Sequence, residues 1–387
     1  MRKISDINNK KKIAIVVVGY DRLNAIQRLL NNLRSCIYVE EVPLIISIDC
    51  SNNTLLYEYV NSYHWTWGEK YVYIQKSKLG LKEHILRCGE FTNHFRGIIL
   101  LEDDLYVSPF FFQYTKLALD FYERDVDIAG IALYKNEING YAGFPAYYYN
   151  NGSDAFLFQE VCTWGQCWNK MMWDKFVDWY YKNLNFDFSS IDIPQEILNW
   201  KQAWSKFYLA YMICTNRYFL YPQISLSTNC NDNGIHVDKK NNKYQVQFLC
   251  GEKEYKFYNY ERMTKYDVFL SNLDLYAKLN LSEKELSIDF YGLKSKTFYR
   301  KYLLTCKELN FKVVKSFDLS YRPIEQNILL DIEGYGIYLY DTSIERRFPK
   351  KYISLFDYFY NGINPGILNY EMRKLIKSMI SRFYRKL

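Results

Sequence analysis

The stretch Gly97-Ile-Ile-Leu-Leu-Glu102-Asp103-Asp104-Leu105 runs from large aliphatic residues straight into three consecutive carboxylates. Its apolar part reads as a parallel strand buried on both faces. The acids then emerge at the carboxyl end of a sheet, where open α/β folds bind their ligands. Adjacent carboxylates repel one another unless a cation sits among them. Carboxylate oxygens suit magnesium or manganese, and such an ion keeps coordination positions for the oxygens of a diphosphate. An acidic turn or a helix N-terminus before Pro109 is the plainer alternative for an isolated triplet.

Working outward, Lys12-Ile-Ala-Ile-Val-Val-Val-Gly19 reads as a first buried strand, and Leu23, Ile26, Leu29, Leu30 and Leu33 then recur at helical spacing. Pro43-Leu-Ile-Ile-Ser-Ile-Asp49 is a second strand ending in an acid, followed by a polar turn and another helix. Tyr71 to Ile74 is a third strand and Leu81 to Phe91 a helix, so the acidic triplet closes the fourth strand. Strands alternating with helices predict parallel pairing through right-handed crossovers, with the strand ends converging on one crevice. Ile128 to Tyr134 reads as a further strand, followed by a glycine- and tyrosine-rich loop. Cys162-Thr-Trp-Gly-Gln-Cys-Trp168 opens an aromatic region with Trp173, Trp179, Trp200 and Trp204, and Asn229 to His236 reads as a loop.

The 387 residues can bury an α/β core and leave material for a smaller unit. The pattern predicts one α/β domain over residues 10–240, with a mostly parallel sheet and helices on both faces. Residues 241–387 form a C-terminal α+β appendage with a hairpin near Asp331 to Tyr340. The 39 Tyr and 25 Phe can supply stacking platforms for sugars, although aromatic rings more often fill cores. Nine scattered cysteines without close pairs favour a reducing compartment. No apolar run approaches the roughly 20 residues that span a bilayer, and the N-terminus lacks a signal-like apolar segment, so a cytoplasmic location is expected. A net charge of +7 without a basic stripe argues against nucleic acid as a partner.

Met372, Leu375, Ile376, Met379, Ile380 and Phe383 share one side of a terminal helical pattern whose other positions carry Arg373, Lys374, Lys377, Arg382, Arg385 and Lys386. Such a helix can lie in the headgroup layer of an anionic membrane, at the inner face of the cell membrane. A helix docked on its own domain with a solvated basic face fits the same pattern.

Four segments together resemble one family, the inverting GT-A glycosyltransferases of the N-acetylglucosaminyltransferase I type and their bacterial relatives. The resemblance covers roughly Ile13 to His236. Ile15 to Arg22 is similar to the family's opening strand and Asp-Arg turn, and Ile45 to Cys50 to its second strand. Lys82-Glu-His84 resembles its base-site helix. Leu101-Glu-Asp-Asp-Leu105 with Pro109-Phe-Phe111 resembles its metal motif. The resemblance implies that Asp104 ligates Mn2+ or Mg2+, Asp103 bonds the ribose, and Glu102 faces the nucleotide sugar. It implies that Arg22, Asp49 and His84 hold the nucleotide. Tyr221 to Asn229 followed by Asn233-Gly-Ile-His236 resembles a loop that closes over the donor, with His236 at the metal or diphosphate. Outside the family, Asp49 reads as a helix-cap aspartate and His84 as a core histidine.

An inverting transferase needs a carboxylate to take the acceptor hydroxyl's proton. The family supplies an Asp directly after a Trp, whereas Trp200 and Trp204 are followed here by Lys201 and Ser205. Asp192 and Glu196 are the replacements within reach, Glu196 lying about one helical turn before Trp200. Asp174, after Trp173, reads as part of a solvated helix face. The resemblance therefore implies transfer of N-acetylglucosamine or a related hexose from a UDP-sugar to a glycan or lipid-linked glycan, in assembly of a bacterial surface polysaccharide. A nucleotidyltransferase would need a glycine-rich phosphate loop after the first strand, which Val18-Gly19-Tyr20-Asp21 does not supply. A glycan-binding scaffold that has lost the base is the non-enzymatic alternative.

Overall fold

The computed structural model describes residues 9–200, 203–230, 232, 242–347, 354–362, 366, 369–370, 372–374 and 376. They fall into two compact units, residues 1–283 with 293–299 and residues 284–292 with 300–387.

In the first unit, β1 (Asn9–Gly19), α1 (Leu23–Arg34), β2 (Leu44–Ile48), α2 (Thr54–Ser62), β3 (Lys70–Ile74), α3 (Leu81–Gly89) and β4 (Phe95–Glu102) alternate as the hydrophobic pattern predicts. Ile13 to Val18 of β1 and Ile98 to Leu101 of β4 are at most 3% exposed, so both faces of these strands are covered. The chain continues through β5 (Leu105–Val107), α4 (Phe111–Tyr122), β6 (Ile128–Ala132), β7 (Ala155–Phe158), β8 (Gln166–Asn169), α5 (Lys170–Lys182), α6 (Gln195–Leu198), α7 (Trp204–Thr215), β9 (Tyr218–Pro222), β10 (Ser227–Asn229), β11 (Lys265–Tyr266) and α8 (Asp274–Leu279).

One nine-stranded sheet runs β11-β7-β9-β6-β8-β4-β1-β2-β3. Five of its eight neighbouring pairs are parallel, and β8 enters antiparallel between β4 and β6, as β7 does beside β9. This is the expected α/β architecture with a mostly parallel sheet. The register sets Gly19 opposite Ile48 and Val18 opposite Glu102, which brings the ends of β1, β2 and β4 level. Connections leave β1 toward β2 on one side and arrive at β4 on the other. The order β3-β2-β1-β4 thus opens a crevice at the carboxyl ends of β1 and β4, the switch point where doubly wound sheets take ligands.

The expected boundary near residue 240 lies inside this first unit, because β11 adds to the sheet beside β7. The division falls at 283 instead.

The second unit holds a four-stranded sheet in the order β12-β13-β15-β14. It is built from β12 (Leu286–Ile288), β13 (Tyr302–Thr305), β14 (Phe311–Asp318) and β15 (Gly336–Glu345), with α9 (Ile324–Leu329) and α10 (Leu355–Tyr360). The hairpin expected over Asp331 to Tyr340 does not form. β15 pairs with β14, and the chain between them carries α9, because the alternation from 336 onward belongs to one long strand. Most of the basic terminal helix lies outside the described residues. Among the described residues no helix is long and apolar enough to cross a membrane.

Many of the aromatic rings are core. Trp168, Trp173 and Tyr208 are fully buried, with ring centroids 4.9 Å apart for the two indoles and 5.9 Å for Trp168 and Tyr208. The Trp173 indole lies directly on the bare backbone of Gly89 at the end of α3, and its Nε1 donates to Glu90 Oε1 at 3.2 Å. A methyl group at position 89 would overlap the ring. We expect Gly89→Ala to lose about 1–3 kcal/mol in urea unfolding through overpacking, and the added substitution Trp173→Leu to recover part of that loss.

Candidate functional site

The turn after β1 and the end of β4 are joined by charge. Arg22 Nε donates to Asp103 Oδ2 at 3.2 Å, its Nη2 donates to Asp103 Oδ1, and its Nη1 donates to Asp104 Oδ2 at 3.3 Å. Burial opposes the guanidinium charge, but Asp103 and Asp104 hold Arg22 firmly protonated. Asp103 is buried at 3% exposure. Burial pushes its carboxyl up to about 6 even though Arg22 pulls the other way. For Glu102, burial and the neighbouring charges of Asp104 and Asp103 push the carboxyl up to about 8. Among the described residues nothing bonds the Glu102 carboxylate. One guanidinium among three acids leaves the cluster short of positive charge, and an added cation would relieve the repulsion.

The continuation of the triplet is fixed from two directions. Asn32, buried on α1, accepts from Val107 N at 2.7 Å and donates to Val107 O at 3.1 Å. β10 lies antiparallel to β5, and Cys230 N donates to Asp104 O at 2.7 Å. Asp232 then pairs with Arg28 of α1, whose Nη1 lies 3.0 Å from Asp232 Oδ1. The start of the Asn229 to His236 segment therefore lies against the acidic triplet. His236 itself lies outside the described residues.

Asp49 follows β2 at the same edge of the sheet, and its carboxylate is committed to the backbone. It accepts from Cys50 N and Leu79 N at 2.8 Å and from Gly80 N at 2.9 Å. Burial opposes its charge, but these bonds outweigh it and hold the carboxyl below its ordinary range. Asp49 thus clamps the turn that starts α3, and its oxygens keep further acceptor capacity. His84, on α3, is 2% exposed with Nε2 2.7 Å from Ser47 Oγ. Burial lowers its pKa despite the attraction of Asp49, so this imidazole is neutral at physiological pH.

A cavity of about 300 Å³ opens at the same edge, beyond β8, lined among others by Tyr141, Glu160, Trp164, Glu196, Trp200 and Ser205. Its lining residue Trp164 is bonded to β10, the strand that pairs with β5 after the triplet. Trp164 O accepts from Ser227 Oγ of β10 at 2.6 Å, and Gly165 has φ 95°, where an added Cβ would lie 3.0 Å from Leu133 and 3.4 Å from Leu101. A side chain at position 165 would be strained in that conformation and would crowd both leucines.

The candidate bases separate. Glu196 is exposed on α6 and lines the cavity. Asp192 is not among the lining residues; its Oδ2 lies 4.0 Å from Lys294 Nζ, an amine that also pairs with Asp267 at 2.9 Å. Asp174 pairs with Lys170 across one helical turn at 2.6 Å on the exposed face of α5. Glu160 is the cavity carboxylate that the sequence reading passed over. It follows β7 as Glu102 ends β4: an acid after an apolar strand, and the sole acid between Asp154 and Asp174.

No family model matches the chain, and no curated protein sequence matches it. Among solved structures, the chain is similar to S. aureus TarS 1-349 in complex with UDP-GlcNAc, at 13% identity over 58% of this chain and 60% of that one, with a TM-score of 0.39. It is similar to GalNAc-T7 with UDP, GalNAc and Mn2+ at 11% identity, covering 55% of this chain and 43% of that one, with a TM-score of 0.39. It is also similar to the mannosyltransferase PcManGT from Pyrobaculum calidifontis in complex with GDP-Man and Mn2+, at 8% identity over 56% and 59% of the two chains, with a TM-score of 0.34. The chain spans about three fifths of the length of the TarS structure. At these identities and TM-scores the likeness carries no functional argument.

Proposed function

We propose that this chain is a metal-dependent inverting glycosyltransferase that moves N-acetylglucosamine or a related hexose from a UDP-sugar to a glycan hydroxyl. A role in bacterial surface polysaccharide assembly fits that activity. One observation carries the reading: Asp103 and Asp104 share a single arginine beside the Glu102 carboxyl, unpaired among the described residues, at the switch point between β1 and β4.

The donor set fits a hard divalent cation held by few protein ligands. Asp104 is partly exposed at the crevice, and among the described residues no cluster of three or more His, Cys, Asp or Glu closes a cage. Magnesium and manganese are commonly held in this way, by one or two carboxylates with substrate phosphates completing the shell. Asp104 would hold the ion, with Glu102 beside it. Such an ion, when bound, neutralises charge developing on a departing diphosphate.

The protein's own groups do the remaining work. Arg22 holds Asp103 and Asp104 in one orientation, and the buried Asp103 carboxylate, bonded to Arg22 through both oxygens, keeps lone pairs to which a ribose hydroxyl would donate. Asp49 and the neutral His84 shape the turn beside the nucleoside end of the crevice. The cavity beyond β8 takes the acceptor. Its aromatic walls offer apolar faces to a pyranose, and a carboxylate in it supplies the proton acceptor that inversion requires.

Thermal shift and calorimetry with UDP, with and without Mn2+, test the donor site. Saturating ligand at 100 times its Kd stabilises the native state by about 2.7 kcal/mol, which raises Tm by several degrees. We expect Asp104→Ala to weaken Mn2+-assisted UDP binding about 100-fold or more and to leave the metal-free unfolding midpoint close to wild type. Unchanged affinity would remove the metal role from Asp104. Arg22→Met should act differently. Buried Asp103 loses its partner, so the expected result is a lowered unfolding midpoint together with at least tenfold weaker UDP binding.

A further inference from the structure

We infer that Glu160 is the general base of the proposed sugar transfer, and that the cavity it floors takes a pyranose acceptor. This rests on the transferase reading above and goes beyond it by naming the group that takes the proton.

The argument begins with position. Glu160 follows β7, a strand paired on one side with β9 and on the other with β11, so its backbone belongs to the framework of the sheet. Tyr221 of β9 donates its hydroxyl to Glu160 O at 3.2 Å. Tyr141 donates its hydroxyl to Glu160 Oε2 at 2.8 Å, and Tyr141 is itself set by an Asn139 turn, whose Oδ1 accepts from Tyr141 N at 3.1 Å. Backbone and side chain are thus both located before any ligand arrives. Preorganisation of this kind is what a base at the reacting centre needs, because misplacement costs rate steeply.

Environment separates Glu160 from the other cavity acid. Glu160 is 9% exposed, whereas Glu196 is exposed on a four-residue helix and its carboxylate makes no hydrogen bond or ion pair among the described residues. A carboxylate in water is a weak, freely rotating base. A buried one is stronger: burial pushes the Glu160 carboxyl up to about 7, against the pull of the Tyr141 hydroxyl. That places its proton affinity near working pH, where a general base is most effective. The titratable groups around it are Tyr141, Tyr221 and Cys162, with Glu196 lining the same cavity; among the described residues that line it there is no cation.

The walls supply the acceptor site. The Tyr134 and Trp164 rings meet edge to face at 4.7 Å, and Tyr244 lies 5.4 Å from Trp164. A cavity of about 300 Å³ with apolar ring faces and a few fixed polar groups suits one sugar ring.

The step balances without an added reagent. The acceptor hydroxyl gives its proton to the Glu160 carboxylate while its oxygen forms a bond to the anomeric carbon. The bond from that carbon to the diphosphate oxygen breaks, its electron pair leaves with UDP, and Glu160 later returns the proton to solvent.

The test uses the full chain with Mn2+ and a panel of UDP-sugars (GlcNAc, GalNAc, Glc and Gal), reading UDP release with water or simple hexosides as acceptor. Thermal shift with UDP and Mn2+ runs in parallel as the check on folding and donor binding. Glu160→Gln should lose about 100-fold or more in UDP release while keeping the wild-type thermal shift. Glu196→Gln should stay within about tenfold. The wild-type rate should rise with pH toward about 7 and then level, since only the ionised carboxyl accepts a proton, and Glu160→Gln should lose that rise. Tyr141→Phe should keep the rise but shift it upward, because the charged form loses a hydrogen bond. A Glu160→Gln rate within tenfold of wild type, or an unchanged pH profile, would overturn the assignment while leaving the transferase reading intact. Absence of UDP release from the wild type with every donor would overturn that reading, and the role of Glu160 with it.

Discussion

The guanidinium of Arg22, shared between Asp103 and Asp104, is the contact around which the crevice is organised. It joins the turn that follows the first strand to the end of the fourth. Without it, two adjacent carboxylates would repel one another uncompensated. The level register of β1, β2 and β4 is what makes the contact possible, since a slip of one residue would carry Glu102 away from Val18 and turn the acids to the other face. Sheet geometry therefore comes first and electrostatics second.

The sheet also separates two kinds of carboxylate chemistry. At β4 the acids are crowded and lack positive charge, which suits them to gather a cation and the phosphates that come with it. After β7 a single acid is withdrawn from water and bonded to a tyrosine hydroxyl, which suits it to exchange a proton. Antiparallel β8 lies between them and keeps the two charges from merging into one repelling cluster. Groups with opposed tasks are commonly separated by environment in this way.

How much of this could be read from the chain follows from how local each signal is. Strands β1, β2, β4 and β6 carry aliphatic runs, because a parallel strand covered on both faces tolerates little else, and so they are legible, while β3 at the sheet's edge, Lys70-Tyr-Val-Tyr-Ile74, is legible from its β-branched and aromatic residues. The pairing of β8, β7 and β11 is not, because antiparallel insertion depends on partners far along the chain. Glu102 to Asp104 advertise themselves by adjacency, whereas Glu160 stands alone after Gln159 and gains meaning only when Tyr141 and Tyr221 come to it from separate elements. Asp192 looked free to act because Lys294, its ion-pair partner, lies a hundred residues away. The same distance effect hid Asn32, a polar residue on an apolar helix face whose partner is the backbone of Val107.

Gly89 and Trp173 come from helices on either side of β4 in the chain, yet the indole rests where any side chain would have to go. Drift at these two sites is consequently ordered. A lineage can surrender the glycine only after the ring has shrunk, and regaining the tryptophan is barred until the glycine returns. The pair acts as a ratchet on sequence divergence, and the covariation of positions 89 and 173 among descendants of a common ancestor would record which step came first.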